Sequence, residues 1–254
     1  MPAVRPVAWA FLMPRYSVPS SLPAQTCYAR PEMSIAQNLA RVREQIAAAC
    51  RRAGRSPDEV TLVGVSKGFP AEAVAEACEA GLQDLGENRV QEAAAKIEAL
   101  AATGRRPRWH LIGHLQTNKA KTATGLFAII HSVDSVRLAQ ALSRRAQEPV
   151  PMLLEVNAGQ EAGKFGLAPQ EVAAALRDIA PLPNMDVRGL MTMAPLTDEP
   201  ESVRPVFRCL RELRDSLGLR ELSMGMTGDF EVAIEEGATM VRVGRAIFGP
   251  RPEA

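Results

Sequence analysis

The stretch Val60-Thr61-Leu62-Val63-Gly64-Val65-Ser66 is almost continuously apolar and ends at Lys67. Gly68 and Pro70 then interrupt the extended pattern, and a helical segment follows at about residues 71–81. A short apolar run without strict alternation is typical of a strand that is buried on both faces, as in a parallel sheet. The stretch therefore predicts a buried β-strand that leads into an α-helix.

Eight such strands occur along the chain, and predicted helices separate them. The predicted strands are Val60 to Lys67, Asp84 to Asn88, Trp109 to Gly113, Phe127 to Val133, Met152 to Asn157, Val187 to Met193, Glu221 to Met226 and Met240 to Gly244. The predicted helices between them are at about 71–81, 89–102, 118–125, 135–147, 169–180, 200–217 and 229–237. Eight alternations favour a single (β/α)8 TIM barrel over a doubly wound sheet, which usually has fewer strands.

The two ends of the chain differ from this regular part. Residues 34–54 carry apolar side chains at helical spacing and predict a leading helix, which would fill the gap left because little chain follows the eighth strand. No linker or second domain is evident, so residues 33–254 are expected to form one barrel. Residues 1–32 contain arginines and prolines but no acid before Glu32, and we expect an irregular extension that is disordered or not native.

Composition excludes several classes of function. A formal net charge of +1, with 23% charged residues, gives no electrostatic reason to expect a nucleic-acid or membrane partner. The 4 cysteines form no CxxC pair and the 3 histidines are scattered, which argues against a zinc site and favours a reducing, cytoplasmic setting. No apolar run approaches the length of a membrane span.

Lys67 is unusual because the chain has 30 basic residues but covers its surface with arginine. A desolvated lysine at the mouth of a strand can lose its proton and form a Schiff base with an aldehyde, which arginine cannot do. The alternative is a lysine that simply extends from the strand end into water. Lys67 alone does not decide between these interpretations.

Polar residues collect at the carboxyl ends of the predicted strands, where TIM barrels carry their chemistry. Thr227-Gly228-Asp229 opens a predicted helix and Gly244 follows the eighth strand, and together they suit a phosphate group, although simple helix capping is the alternative. Arg242 is expected to point into the barrel, to a ligand or to a glutamate on strand two or five. A Schiff-base lysine, a phosphate cup and an arginine at the ring nitrogen together suit pyridoxal 5′-phosphate (PLP).

Six sequence motifs support the interpretation that the chain binds PLP. They are Val65-Ser66-Lys67, Gly86-Glu87-Asn88-Arg89-Val90-Gln91-Glu92, Trp109-His110-Leu111-Ile112-Gly113-His114-Leu115-Gln116-Thr117-Asn118-Lys119, Gly189-Leu190-Met191-Thr192-Met193, Ser223-Met224-Gly225-Met226 and Val241-Arg242-Val243-Gly244-Arg245-Ala246-Ile247-Phe248-Gly249. Over about residues 34–250 the chain resembles the YggS/PROSC family of PLP homeostasis proteins, whose barrel is of the alanine racemase N-terminal type.

The resemblance implies a set of cofactor-binding residues. Lys67 would attach the cofactor, Asn88 would lie near its ring, and Arg242 would meet the ring nitrogen. The remaining implied residues are Thr227, Gly244 and the backbone of Arg245 at the phosphate, and Met224 in the pocket wall. The resemblance also implies a possible secondary PLP site at Lys164.

Two departures from the family pattern affect these implied contacts. Gly228 stands where the family commonly has an acid, which leaves a contact there in doubt. Arg245 stands where threonine is frequent, and this change removes a hydroxyl from the phosphate site.

Three functions are compatible with these residues. The predicted one is a PLP carrier or buffer with no catalytic residues and no metal, expected to be a monomer, with PLP-dependent apo-enzymes as candidate recipients. A PLP-dependent amino-acid racemase is the alternative, but its second base is missing because the only tyrosines are Tyr16 and Tyr28. His110 or His114 could replace that base, although structural roles are expected. A cofactor-free Schiff-base aldolase is the third function, and in that mechanism Arg242 has no obvious role.

Overall fold

The computed structural model describes residues 33–251. The prediction for residues 1–32 lies outside the described residues. The predicted strands pair in chain order and close into a parallel barrel, β1 to β8. Their bounds are Thr61–Val65, Asp84–Glu87, Arg108–Leu111, Ile129–Val133, Val150–Glu155, Met185–Met191, Glu221–Ser223 and Met240–Val243. The single (β/α)8 barrel predicted from the sequence is confirmed.

Nine α-helices of the described residues, α1 to α9, surround this barrel. Their bounds are Ile35–Arg52, Ala71–Glu79, Val90–Ala101, Ala120–Leu126, Val136–Ser143, Val172–Ile179, Arg204–Ser216, Phe230–Glu235 and Arg245–Phe248. The short helix α9 follows β8 directly, and the sequence patterns did not predict it. Each helix buries an apolar stripe against the outer face of the barrel, which places the main core between strands and helices.

The leading helix α1 begins with a reciprocal cap. Ser34 accepts a hydrogen bond from the backbone of Gln37, and the Gln37 side chain accepts one from the backbone of Ser34. The buried face of the helix carries Leu39, Val42 and Ile46 and packs against α2, α8 and α9. The helix therefore closes the ring at the position predicted from the sequence.

Side chains on the strands alternate between the helix layer and the barrel interior. On β8, Val241 and Val243 join the main core under the helices, whereas Arg242 points into the barrel. Arg242 hydrogen-bonds to Ser223 on β7 and to Thr192, the residue after β6. This orientation of Arg242 confirms the prediction from the alternating pattern. The interior also holds a small apolar cluster of Ile129, Leu153, Met191 and Met240.

Most strands end earlier than predicted, and β7 shows why. It stops at Ser223 rather than Met226 because Gly225 has a φ of +91° and turns the chain. A Cβ atom at Gly225 would lie 2.6 Å from Cβ of Ala233, so glycine is required there for conformation and for space. The turn delivers residues 226–229 to the mouth of the barrel. No helix within residues 33–251 is long and apolar enough to cross a membrane.

Candidate functional site

A cavity of about 390 Å³ opens at the carboxyl end of the barrel. Six of the residues selected from the sequence line it, namely Lys67, Asn88, Thr227, Arg242, Gly244 and Arg245. They come from the loops after strands β1, β2 and β7, from β8 and from the start of α9, and the first three of these are far apart in the chain. The closed barrel brings them together because all parallel strands end at the same face.

Lys67 is half-buried in the wall of this cavity. Burial, and then the positive charge of Arg251 and of Arg242, lower the pKa of the Lys67 amine, while Glu87 partly opposes them. Arg251 also packs close to the backbone next to Lys67, since a Cβ atom at Gly68 would lie 3.3 Å from its Cδ. A larger fraction of the amine is therefore neutral and nucleophilic than in a fully exposed lysine.

A buried ionic cluster holds the backbone on both sides of Lys67. Lys96, on α3, donates to the carbonyl oxygen of Ser66 at 2.7 Å, to Glu87 at 2.6 Å and to Glu92 at 2.8 Å. The same oxygen of Glu92 accepts a hydrogen bond from the backbone N–H of Gly68 at 2.6 Å. The residues before and after Lys67 are thus tied to one cluster, which fixes where the Lys67 side chain leaves the strand.

Glu87 is the charged centre of that cluster and is completely buried. It accepts from the Ser66 hydroxyl at 2.6 Å as well as from Lys96. Burial raises the pKa of the Glu87 carboxyl, and the hydrogen bonds from Lys96 and Ser66 limit that rise. Because Lys96 already donates to three oxygens, its amine is not available as a nucleophile.

Asn88 enters the cavity because the next strand approaches it closely. A Cβ atom at Gly113 would lie 2.6 Å from the carbonyl oxygen of Asn88 and 2.7 Å from its Cα. Only glycine permits this packing of the loop after β3 against the end of β2. Gly113 therefore belongs to the framework that positions Asn88.

The turn of residues 226–229 forms another wall of the cavity. Asp229 accepts a hydrogen bond from the backbone N–H of Met226 at 2.5 Å, which closes the turn. Neither Asp229 nor Thr227 caps helix α8 through its side chain, so the capping alternative is not what the structure shows. In the described part of the chain, the backbone N–H groups of Thr227 and Gly228 have no protein acceptor and remain able to bind an anion.

Arg242 is 4% exposed and lies in the floor of the cavity. Its guanidinium donates to the Ser223 hydroxyl at 2.6 Å and to the carbonyl oxygen of Thr192 at 2.8 Å. Within residues 33–251 no carboxylate lies within salt-bridge distance of it, so the predicted alternative of an ion pair with a glutamate is wrong. Burial lowers the pKa of Arg242 to about 10, although Asp229 and Glu155 act against this at longer range.

Two residues selected from the sequence do not line this cavity. Met224 is completely buried in the main core, and Met226, two residues later, lines the cavity instead. Lys164 forms an ion pair with Glu161 in the loop after β5, while its neighbour Phe165 reaches the cavity. The positive φ of Gly225 explains the first difference, because it interrupts the alternation that places Met224 and Met226.

The two histidines considered as bases occupy different environments. His110 is buried in the barrel interior, with a hydrogen-bonding partner at each ring nitrogen, and it does not reach the cavity. His114 lines the cavity, lies 3.0 Å from Asp134 and stacks on Phe165 with ring centroids 4.0 Å apart. Reasoning from the sequence did not identify Phe165, because its position depends on the path of a loop.

Comparison with known proteins agrees with this architecture. The family model described as alanine racemase, N-terminal domain, matches residues 37–252. A solved alanine racemase from Corynebacterium glutamicum is 19% identical with a TM-score of 0.65, and the alignment covers 85% of this chain and 63% of that one. At this identity the likeness shows the fold alone. The chain is thus a barrel of the alanine racemase N-terminal type.

Closer relatives carry one shared name. Pyridoxal phosphate homeostasis proteins are 46% identical in Aquifex aeolicus and 43% identical in Escherichia coli, over 86% and 85% of this chain and 99% and 97% of theirs. The solved structure of PipY from Synechococcus elongatus with PLP bound is 38% identical with a TM-score of 0.74, covering 85% of this chain and all of that one (100%). The chain belongs to the pyridoxal phosphate homeostasis protein family, as its motifs predicted.

Proposed function

We propose that this chain binds PLP in the cavity at the carboxyl end of the barrel and carries or buffers it. The observation that carries the proposal is that Lys67, Arg242 and the open turn at Thr227 and Gly228 line the same cavity. An amine of lowered pKa, a buried guanidinium without a carboxylate partner and free backbone donors match an aldehyde, a ring nitrogen and a phosphate. The names of the relatives and the PipY structure support the same ligand.

Each residue then has a task set by its chemistry. Lys67 would attach the aldehyde, and Asn88 would lie beside the ring. Arg242 would donate a hydrogen bond to the ring nitrogen and, because it stays protonated, would leave that nitrogen without a proton of its own. The Thr227 hydroxyl and the backbone N–H groups of Thr227, Gly228, Gly244 and Arg245 would hold the phosphate. When bound, PLP would supply an electrophilic aldehyde and an electron-withdrawing ring. An arginine at the ring nitrogen would make that ring a weaker electron sink.

We propose further that the chain has no dedicated catalytic reaction. A two-base racemase needs an acid or base on each face of its substrate, and residues 33–251 contain no tyrosine for this purpose. A racemase is the second candidate, and one observation favours it. His114 lines the cavity and is paired with Asp134, so it could serve as the second base. Sensitive chiral assay of amino acids with the wild type and with His114→Asn decides between them, since a racemase that uses His114 loses its turnover in the variant.

The proposed carrier has PLP-dependent apo-enzymes as recipients and acts as a monomer in the cytoplasm. Lys164 is proposed as a secondary attachment point for PLP during its release, because it is exposed in a loop whose next residue, Phe165, lines the cavity. Lys164→Ala is then expected to slow transfer to an apo-enzyme and to leave equilibrium binding of PLP unchanged. Equal rates of transfer would exclude that role.

Equilibrium titration with PLP tests the binding proposal, with Lys67→Arg as the matched variant. Arginine keeps the positive charge but cannot attach an aldehyde, so the variant separates covalent capture from simple attraction of the phosphate. We expect tight binding by the wild type and weak, fully dialysable binding by Lys67→Arg. Wild type and variant binding PLP equally would show that Lys67 is not the point of attachment.

A further inference from the structure

A continuous line of hydrogen bonds runs through the barrel interior and ends at Arg242. Asp84 lies 2.9 Å from Nε2 of His110, and Nδ1 of His110 lies 2.9 Å from Nε2 of His131. Nδ1 of His131 lies 2.8 Å from the Ser223 hydroxyl, which lies 2.6 Å from the Arg242 guanidinium. Four strands, β2, β3, β4 and β7, thus connect to β8 through side chains alone. We name these five residues the interior chain.

The five residues of the interior chain are all buried. His131 and Ser223 are completely buried, and Asp84, His110 and Arg242 are each at most 6% exposed. Buried polar groups are costly unless each is satisfied, so such an arrangement persists only when its donors and acceptors match. The matching can be worked out from either end.

Starting from Arg242, a consistent direction can be assigned to each bond. A guanidinium only donates, so the Ser223 oxygen accepts from it and can direct its own hydrogen at Nδ1 of His131. Starting from Asp84, an ionised carboxylate only accepts, so Nε2 of His110 carries a hydrogen. In a neutral His110 the other nitrogen, Nδ1, then accepts from Nε2–H of His131, whose Nδ1 is left to accept from Ser223.

One state satisfies both ends with two neutral rings, and in it both histidines are protonated at Nε2. Burial, with the neighbouring His110 and Arg242, lowers the pKa of His131 well below its usual value, which agrees with a neutral ring. Burial raises the pKa of Asp84, but the hydrogen bonds from His110 and Arg108 outweigh it and keep that pKa below its usual value. With both rings neutral, the reverse direction would bring an imidazole lone pair against the Asp84 carboxylate.

We propose that the interior chain positions Arg242 for the cofactor pocket, and that Ser223, His131 and His110 are positioning residues that couple Arg242 to the buried charge of Asp84. The polarised Ser223 hydroxyl presents its lone pairs to the guanidinium and, with the carbonyl oxygen of Thr192, holds two of its nitrogens. Arg242, held in this way, is one of the residues that line the cavity. This assignment rests on the proposed function for what occupies the pocket, but the hydrogen-bond directions do not.

Asp84 anchors the interior chain at the opposite end of the barrel. It also binds Arg108, at 2.8 and 2.7 Å, and both residues line a separate cavity of about 520 Å³ there. Arg108 touches Asp84 but does not contact His110 through a hydrogen bond. The variant Arg108→Gln is therefore a matched control, because it disturbs Asp84 without removing the hydrogen bond between Asp84 and His110.

Nitrogen NMR of the protein without PLP tests the hydrogen-bond directions. The chain has only 3 histidines, so their ring nitrogens can be assigned individually. We expect His110 and His131 to be neutral with the proton on Nε2. Ser223→Ala and Asp84→Asn are expected to shift the side-chain nitrogen resonances of Arg242, whereas Arg108→Gln leaves them in place. A proton on Nδ1 of either histidine, or no shift of Arg242 in both variants, would overturn the proposal.

Affinity for PLP tests the consequence for the pocket. Ser223→Ala is expected to weaken binding about tenfold, because a charged donor loses its acceptor. Asp84→Asn, three residues removed from the cofactor site, is expected to weaken it about threefold, with Arg108→Gln within about twofold of the wild type. Wild-type affinity in both Ser223→Ala and Asp84→Asn would overturn the positioning role. A wild type that binds no PLP would instead refute the proposed function. The NMR experiment would still test the hydrogen-bond directions in the interior chain.

Discussion

Lys96 donates a hydrogen bond to the carbonyl oxygen of Ser66, the residue immediately before Lys67, at 2.7 Å. It also binds Glu92, which accepts from the backbone of Gly68, the residue immediately after Lys67. Lys96, whose amine is fully hydrogen-bonded, thus positions the strand end that carries Lys67. This arrangement explains how one lysine of the pair is kept reactive while the other serves as a structural cation.

Replacing Lys96 by Met is expected to destabilise the fold by about 3 kcal/mol or more, because Glu87 is left as an unpaired buried charge. Capture of PLP by Lys67 should become slower because both flanking residues lose their anchor. Urea denaturation and the rate of PLP binding measure the two effects. The double variant Lys96→Met with Glu87→Gln removes both charges and should recover most of the stability. A double variant as unstable as Lys96→Met would contradict the ion-pair explanation.

Replacing Arg242 by Ala is expected to weaken PLP binding about tenfold or more without abolishing it, since Lys67 still attaches the aldehyde. The matched control is Arg188→Ala, which removes a half-buried arginine that pairs with Asp186 outside the cavity. Equilibrium titration compares the two variants. Unchanged affinity in Arg242→Ala would refute its assignment to the ring nitrogen.

The phosphate site can be tested by omitting the phosphate. Thr227→Val is expected to weaken binding of PLP several-fold and to leave binding of pyridoxal, which lacks the phosphate, unchanged. Thr227→Ser keeps the hydroxyl and should behave as the wild type. If Thr227→Val weakens both ligands equally, the residue acts on the shape of the pocket and not on the phosphate.

Glu155, 3% exposed at the end of β5, predicts a dependence of stability on pH. Burial, with the nearby negative charge of Asp134, raises its pKa from 4.5 to about 7, while Arg242 partly offsets the rise. A carboxyl with a raised pKa binds more protons in the folded state, so its contribution favours folding at low pH and is lost as pH rises from about 4.5 to about 7.

Glu155→Gln should therefore raise the free energy of unfolding at pH 8, by roughly 1.4 kcal/mol for each unit of the shift that is removed. The gain should be small at pH 5, where the wild-type carboxyl is already largely protonated in the folded protein. Denaturation at the two pH values measures the difference. Equal gains at both values would mean that ionisation of Glu155 is not the cause.

The sequence patterns predicted the fold because eight short strands, several of them continuously apolar, are separated by predicted helices. They also predicted the inward direction of Arg242, because strand alternation is a local property. The contacts of the interior chain could not be predicted, since the pairing of His110, His131 and Ser223 depends on the register between strands. Met226 and Phe165 were missed for a related reason, because the turn at Gly225 and the loop after β5 follow no period.

The central claim is that Lys67 captures PLP, and borohydride reduction followed by peptide mapping tests it most directly. The purified protein is mixed with PLP, its visible absorbance is recorded, the sample is reduced and the modified peptide is identified by mass. We predict a visible band that disappears on reduction and a pyridoxyl group on Lys67. A protein that gains no band and no modification, or one modified at another lysine with Lys67 free, would contradict the account.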